Sequence, residues 1–565
     1  MRRAPFVVAL LLLAAAVLLP GRALIEALRP GLGDDPSLRG GALLLKALLG
    51  FHGALLLSVE ALRSRLLPVP RSALLERGLR SREPVGAGEA VALCGLLLLA
   101  TAVRFHALDQ GLWVGEVDVL VHHLRRPLPE LLTTYDGPAR HQLYALLARA
   151  SVVAFGEQPW ALRLPAAILG VASLFAVWRL ARLIAPRREV LFAVGVLALS
   201  YQHVWTSQDA QGYSGLLLFA TLGSEAFLRL LAARDPRRSA PAWGYGAAMA
   251  LALWVHIGAV FVLLAHALVW LALVWRTRRR MGVARWLPAL GLLLAASLAL
   301  TLYALVLDPL IATTVHALRD DMAGAWRSPA WLAGRVLGGL TTFAPGGPSA
   351  VLAFLVLAAA VVALGLASYA RQGWAVLGVL LGGALVVLLA MATLRQHLWP
   401  RLLFVGAGGF ALVVGRGLVE WVRLFARSPP LSAWVAPLER AVLVLTCLVS
   451  AASVPLAWLP KQDFAGAVAL VEERAAPQDA ILSAGRASLA LGELFERAWP
   501  AVETVEQLQG IEDAHPRTWL VLSGPIRLRS THAALWDHVE ADYDPVAVFP
   551  GTASEGEVVV LLHRR

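Results

Sequence analysis

LDQGLWVGEVDVLVHHLRRPLPELLTTYDGPARHQLY, residues 108–144, is a polar and acidic segment set between strongly apolar ones. It carries Asp109, Glu116, Asp118, Glu130 and Asp136 in a chain otherwise poor in carboxylates near apolar surface. Acids held at a membrane surface usually do chemistry; the bland alternative is a solvated loop. The flanking residues decide the fold class. Of 565 residues, 58% are hydrophobic and 16% charged, with a mean hydropathy of +0.67, which implies an α-helical polytopic membrane protein. Apolar runs long enough to cross a hydrocarbon core, about 20 helical residues, recur near 5–27, 41–62, 87–104, 161–185, 189–205, 212–233, 242–255, 256–275, 284–308, 349–368, 374–394, 402–425 and 440–459, about thirteen spans in all.

Net charge is +12, and nearly all of it is arginine, since Lys46 and Lys461 are the two lysines. The arginines are spread over short loops and no aromatic platform accompanies them, so no nucleic-acid partner is implied. Cys94 and Cys447 fall in apolar runs and give neither a disulfide framework nor zinc spacing. Cytoplasmic loops retain arginine. That rule assigns the groups around Arg2, Arg63 to Arg82, Arg179 to Arg188, Arg229 to Arg238, Arg276 to Arg285 and Arg416 to Arg440 to the inner face. The acidic 105–160 loop, the 309–348 loop, the Arg395 to Arg401 turn and the tail then lie outside. Residues 141–156 are apolar, but counting them as a span would invert every later loop, so they read as an interfacial or re-entrant helix. The first 27 residues read as an uncleaved helix in preference to a signal peptide.

Three units follow: residues 1–86 with two spans, a transmembrane core over 87–459, and a tail over 460–565. In the tail, helical stretches such as AGAVALVEERA alternate with the apolar runs DAILSA, TWLVLS, PVAVF and EVVVLLH, the pattern of a small α/β domain. It holds no phosphate loop or nucleophile elbow, which leaves a binding or structural role.

Several separated motifs share one resemblance. LWVGE at 112–116 and PLPELL at 127–132, then FGEQPWALRLPAAILG at 155–170, LSYQHVWTSQDAQGYSGLLL at 199–218, WVHIGAVFVLLAHAL at 254–268 and WPRLLF at 399–404, resemble polyprenyl-phosphate-dependent membrane glycosyltransferases of the GT-C fold. Within that group the likeness is to bacterial protein O-mannosyltransferase-like enzymes, lipid A aminoarabinose transferases and rhizobial lipopolysaccharide core transferases. The resemblance implies a bacterial inner-membrane transferase with its site and tail on the periplasmic face. It would move a sugar from a polyprenyl-phosphate donor in the bilayer to a lipid, glycan or protein acceptor.

Such a transfer needs a carboxylate to take the acceptor's proton and a cation, arginine or a divalent metal ion, for the departing phosphate. Glu116, Asp118 and Asp136 are the candidate catalytic acids; Arg163, Arg401, Asp209, Tyr213 and His141 are the candidate substrate-binding residues. Each has a plainer reading as a solvated acid, a turn residue, a helix cap or a snorkelling cation. The sequence also departs from the pattern the resemblance implies. Gly115 stands where an Asp is expected before Glu116, both prolines are missing after His141, and Asp209 and Gln211 replace Glu and Arg. An inactive relative that binds lipid-linked glycans is therefore the alternative, and a transporter a more distant one.

Overall fold

The computed structural model describes every residue except 1–3, 66–73, 76–78, 81–83, 138–139, 234, 236–238, 278–285, 320–346, 395–399, 426–432, 498, 554–555 and 565. The expected fold class is what it shows: a bundle of apolar helices with a small carboxyl-terminal sheet. In order, the helices are α1 (Ala4–Leu18), α2 (Gly21–Leu28), α3 (Pro36–Arg65), α4 (Ala87–Phe105), α5 (Val114–Val119), α6 (Leu128–Thr133), α7 (Gln142–Phe155) and α8 (Pro159–Ala181). They continue with α9 (Arg187–Ala198), α10 (Tyr201–Ser207), α11 (Tyr213–Leu231), α12 (Ala240–Val255), α13 (Val260–Arg276), α14 (Leu287–Tyr303) and α15 (Leu307–Arg319). The last of the bundle are α16 (Gly347–Leu394), α17 (Ala407–Phe425) and α18 (Val435–Ala452).

Among the described residues nine helices are long and apolar enough to span a membrane, or up to eleven if two bent pairs each count once. The count of thirteen is not reproduced, and the bends are one reason. The run over 5–27 is no single helix: α1 and α2 meet at 85° across Leu19 and Pro20, where proline lacks the N–H that a continuing helix needs. A second bend of 59° separates α9 from α10 and turns the chain toward the acidic loop. The predicted break between 368 and 374 falls at Gly373, whose extended backbone interrupts α16. Within 141–156 the chain forms α7, Gln142–Phe155, fourteen residues and too short to span. The expected 309–348 loop begins as α15, and the rest of it, with Asp320 and Asp321, lies outside the described residues, as do 395–399.

α11 is the most buried span, followed equally by α8 and α17, and α3, α4 and α18 are the least buried. α8, about 35 Å long, runs from the face bearing the acidic loop to the opposite face. There, buried glutamates staple neighbouring helices: Glu189 of α9 to Arg416 of α17 at 2.7 Å, Glu89 of α4 to Arg182 at 3.1 Å, and Glu225 of α11 to Arg179 of α8 at 2.9 Å.

The tail adds α19 (Phe464–Arg474), α20 (Ala487–Phe495) and a five-stranded sheet, order β2-β1-β3-β5-β4, with β1 (Ala480–Gly485), β2 (Ala501–Val502), β3 (Thr518–Ser523), β4 (Tyr543–Phe549) and β5 (Val558–His563). β1, β2 and β3 are parallel and β5 is antiparallel to both neighbours. β3 alternates strictly: Trp519 and Val521 join the cluster that contains α19, α20 and Val117, Leu120 and Leu124 of the acidic loop, while Leu520 and Leu522 face the other way. Burial on both faces explains why TWLVLS reads as one apolar run. Arg125 extends the junction, pairing with Glu157 at 3.0 Å and Glu493 at 2.7 Å.

Candidate functional site

The site is built where α5, the start of α8, the 208–213 turn and the start of the tail converge. Trp113 is extended and α5 begins after it, which brings Glu116 back over its own helix start. Glu116 is fully buried and both oxygens are occupied: Oε1 accepts from Arg163 Nε at 2.8 Å and Ala210 N–H at 2.9 Å, and Oε2 from Arg163 Nη2 at 2.6 Å and Trp113 N–H at 3.3 Å. Burial alone would push this carboxyl up, but the charges of Arg163 and Lys461 and the bonds from Arg163 and Ala210 outweigh it and hold the carboxyl below its usual range.

Arg163 also donates to the carbonyls of Leu108 and Gln110 at 3.0 and 2.7 Å and of Gly111 at 3.0 Å, so all five of its N–H groups are engaged inside the protein. Its geometry is that of a clamp on Glu116 and leaves no donor directed at a phosphate. Pro165, two residues on, cannot bond back to the Ala161 carbonyl; Ser151 Oγ donates to that oxygen at 2.6 Å, and Tyr144 donates to Leu162 O at 2.7 Å. The Arg-Leu-Pro motif is thus a helix start tied to α7.

Asp209 lies in the turn between α10 and α11 and is fully buried. Its Oδ1 accepts from Trp113 Nε1 at 2.9 Å, while Oδ2 is buried without a hydrogen-bond partner among the described residues. Burial and then the neighbouring Glu116 charge raise its carboxyl to about 6, against the opposing pull of Lys461, Arg401 and the Trp113 bond. Lys461 enters from the tail, buried, and donates to Gln208 O at 2.7 Å with its ammonium 5.3 Å from the Trp205 ring. Burial and then Arg163 lower it to about 8, opposed by Glu116 and Asp209. Next to it Gln462 accepts from Val114 N–H at 2.8 Å.

Beyond Asp209 lies an aromatic and cationic layer. Arg401 donates to Gln211 Oε1 at 3.2 Å and sits 5.5 Å from the Trp113 ring and 5.9 Å from that of Tyr213. The His141 and His256 rings are 4.6 Å apart, with Tyr213 5.4 and 4.8 Å from them. His141 Nδ1 accepts from Gly212 N–H at 2.8 Å, and burial followed by the charges of His256 and Arg401 keeps the ring well below its usual basicity. A side chain at position 212 would collide with the Val255 carbonyl, so the turn approaches α12 as closely as it does because the residue is glycine.

Glu116, Arg163, Asp209, Tyr213, His141 and Arg401 are therefore brought together. Asp118 and Asp136 are not. Asp118 is partly exposed and pairs with His122 at 3.1 Å; Asp136 is exposed and engaged by Arg126 at 2.6 Å and Arg140 at 3.5 Å. Among the described residues no group of three or more His, Cys, Asp or Glu is arranged to hold a metal ion. The sequence reading missed Trp113, Lys461 and Gln462. Lys461 had a signal of its own, an isolated lysine in an arginine-dominated chain at the mouth of the tail.

Gly115 acquires a physical meaning here. A Cβ at this position would meet the Trp113 ring at 2.5 to 2.8 Å, so the indole fills the space that an acid there would enter. Gly115→Asp is expected to bring no gain of activity and to cost about 1–3 kcal/mol, because the buried indole must leave Asp209. Thermal unfolding of Gly115→Asp, Trp113→Ala and the double variant checks it: Gly115→Asp should cost less in the Trp113→Ala background than in the wild-type protein.

Residues 141–304 match the family model for dolichyl-phosphate-mannose-protein mannosyltransferases. The match takes in His141, Arg163, Asp209 and Tyr213 and agrees with the resemblance drawn from the motifs. No curated protein sequence matches the chain. Similar solved structures include ArnT from Cupriavidus metallidurans bound to undecaprenyl phosphate, with 13% identity, TM-score 0.45, and 84% of this chain and 98% of that one covered. Another is the archaeal oligosaccharyltransferase AglB from Archaeoglobus fulgidus in complex with an inhibitory peptide and a dolichol-phosphate, with 12% identity, TM-score 0.45, and 83% and 74% covered. A third is the S. cerevisiae protein O-mannosyltransferase Pmt1-Pmt2 complex bound to the sugar donor, with 14% identity, TM-score 0.30, and 41% and 34% covered.

Proposed function

We propose that this protein is a membrane glycosyltransferase that moves a sugar from a polyprenyl-phosphate donor to a hydroxyl acceptor on the membrane face carrying the acidic loop. The arginine-rich loops of the opposite face support that face being periplasmic in a bacterial inner membrane. One observation carries the reading: a fully buried carboxylate, Asp209, with one oxygen that has no hydrogen-bond partner among the described residues, lies beside two cations from distant parts of the chain.

In this mechanism the acceptor oxygen attacks the anomeric carbon and its proton passes to Asp209 Oδ2. The bond from the anomeric carbon to the phosphate oxygen breaks, and its electron pair leaves with the lipid phosphate. Arg401 and Lys461 offset the charge that grows there. A base raised to about 6 is well matched to neutral pH. Glu116 and Arg163 act as positioning residues, because their pair fixes Ala210 and so the turn that bears Asp209.

The test is transfer of labelled sugar from polyprenyl-phosphate donors by the purified protein in vesicles. Arg401→Gln is expected to raise KM for the donor about tenfold or more, the loss of one charge-assisted contact, and an unchanged KM would remove Arg401 from the phosphate site. Gly115 favours a second reading, a non-catalytic relative. It predicts retention of the lipid-linked sugar with no product from any donor.

A further inference from the structure

On the face opposite this site, the ends of α8 and α11 and the starts of α4 and α9 enclose a cavity of about 400 Å³. Its walls carry Arg80, Arg179, Arg182, Arg187 and Arg229 with Glu89, and an aromatic edge of Phe175 and Trp178. We infer that this cavity binds the phosphate headgroup of an anionic phospholipid.

Charge comes first. Glu89 pairs with Arg182 at 3.1 Å, and Glu225 lies beneath the floor, pairing with Arg179 at 2.9 Å and with Arg229. Among the described residues, five arginines against these two acids leave a formal excess of three positive charges at one concavity. The pairing also fixes the geometry: two buried carboxylates hold three guanidinium groups in place, so the cations are preorganised. Arg187, at the first position of α9, lies against the first turn of α4, where a Cβ on Gly88 would be 3.1 Å from its Nη2. The amino-terminal ends of two helices therefore add their partial positive charge to the same place. Guanidinium forks suit phosphate oxygens.

The aromatic edge selects a lipid over a soluble phosphate. Phe175 is 42% exposed on α8, stacked at 5.3 Å on the nearly buried Trp178. It stands about 9 Å along the axis from the helix end, a depth suited to the acyl attachment of a lipid whose headgroup reaches the arginines. Trp178 donates to Glu89 Oε1 at 3.0 Å, and Arg182 lies 5.3 Å from its ring, which joins the apolar edge to the charged wall. Basic pockets between helices at a membrane face are known receptors for anionic headgroups, and a volume near 400 Å³ is ample for one.

The test uses the full-length protein in nanodiscs of phosphatidylcholine with a small fraction of phosphatidylglycerol, with retained lipid measured by native mass spectrometry. Wild-type protein should retain phosphatidylglycerol over phosphatidylcholine. Arg80→Gln/Arg187→Gln, which leaves both glutamate pairs in place, should reduce that retention about fivefold per arginine, and Arg80→Lys/Arg187→Lys should keep most of it. Equal retention by the glutamine variant and wild type overturns the proposal, as does wild-type indifference to lipid charge. Saturable binding of inorganic phosphate that displaces phosphatidylglycerol overturns the lipid assignment in favour of a soluble phosphate compound. A glutamine variant whose thermal midpoint has fallen is judged by the lysine variant, where loss of retention at a wild-type midpoint also counts against the proposal.

Discussion

Glu116→Ala is expected to destabilise the protein by about 3–5 kcal/mol, the cost of leaving one partner of a buried ion pair uncompensated. Three things happen at once. Arg163, in the interior, loses the one carboxylate it touches among the described residues while its other donors stay fixed on Leu108, Gln110 and Gly111. Ala210 N–H and Trp113 N–H lose their acceptor. The 208–213 turn, held to α5 through that acceptor, is released, and transfer should fall with it. Glu116→Gln keeps the shape but leaves the guanidinium charge uncompensated, so it should recover little. Replacing both partners by apolar residues, Glu116→Leu/Arg163→Met, should cost much less than the sum of the single changes. Because the folded carboxyl titrates below its usual range near 4.5, its contribution is fully present above that pH and is lost as pH falls through the lower folded value. Thermal unfolding in detergent across pH measures all of this. A Glu116→Ala midpoint equal to wild type would mean that the pair does not hold the site together.

Much of the framework was readable before any coordinates. Apolar runs located most of the spans while overcounting them, arginine parity put the acidic loop, Arg401 and the tail on one face, and the short apolar run TWLVLS between turn residues located β3. The motifs named six of the residues that meet. What they could not convey was saturation. Glu116 and Arg163 stood out as a free acid and a free cation, yet each fills the other's valence, and that depends on which carbonyls the chain between Leu108 and Gly111 happens to present. Asp136 looked as eligible as Asp209; Arg126 and Arg140, ten and four residues away in sequence, take it out of the site. Lys461 comes from more than three hundred residues beyond Glu116, and no local period carries a contact of that range. The missing acid at 115 likewise looked like decay until the Trp113 indole was found in its place, donating to Asp209.

Asp209→Asn should separate chemistry from structure. The amide keeps an oxygen for Trp113 Nε1 and nearly the same volume, so the turn is retained, but it has no basicity to offer an acceptor hydroxyl. Transfer should fall by about 10²–10⁴-fold, the range for loss of a positioned general base, with donor binding little changed. The fold should not suffer. A buried acid whose folded value is raised from 3.8 to about 6 binds its proton more tightly folded than unfolded, so stability declines as pH rises through that interval and stays lower above it. Removing the ionisable group removes that decline, and at pH 7 the variant should unfold no earlier than wild type. The wild-type rate should rise with an apparent midpoint near 6 and fall near 8, where Lys461 loses the charge that faces the phosphate. The two limbs belong to the coupled cluster as a whole. Lys461→Arg should move the alkaline limb upward and leave the acid limb in place. A variant as stable as wild type that still transfers at the wild-type rate would remove Asp209 from the chemistry. With Glu116 saturated and Asp118 and Asp136 outside the cluster, no other carboxylate among the described residues has the geometry to replace it.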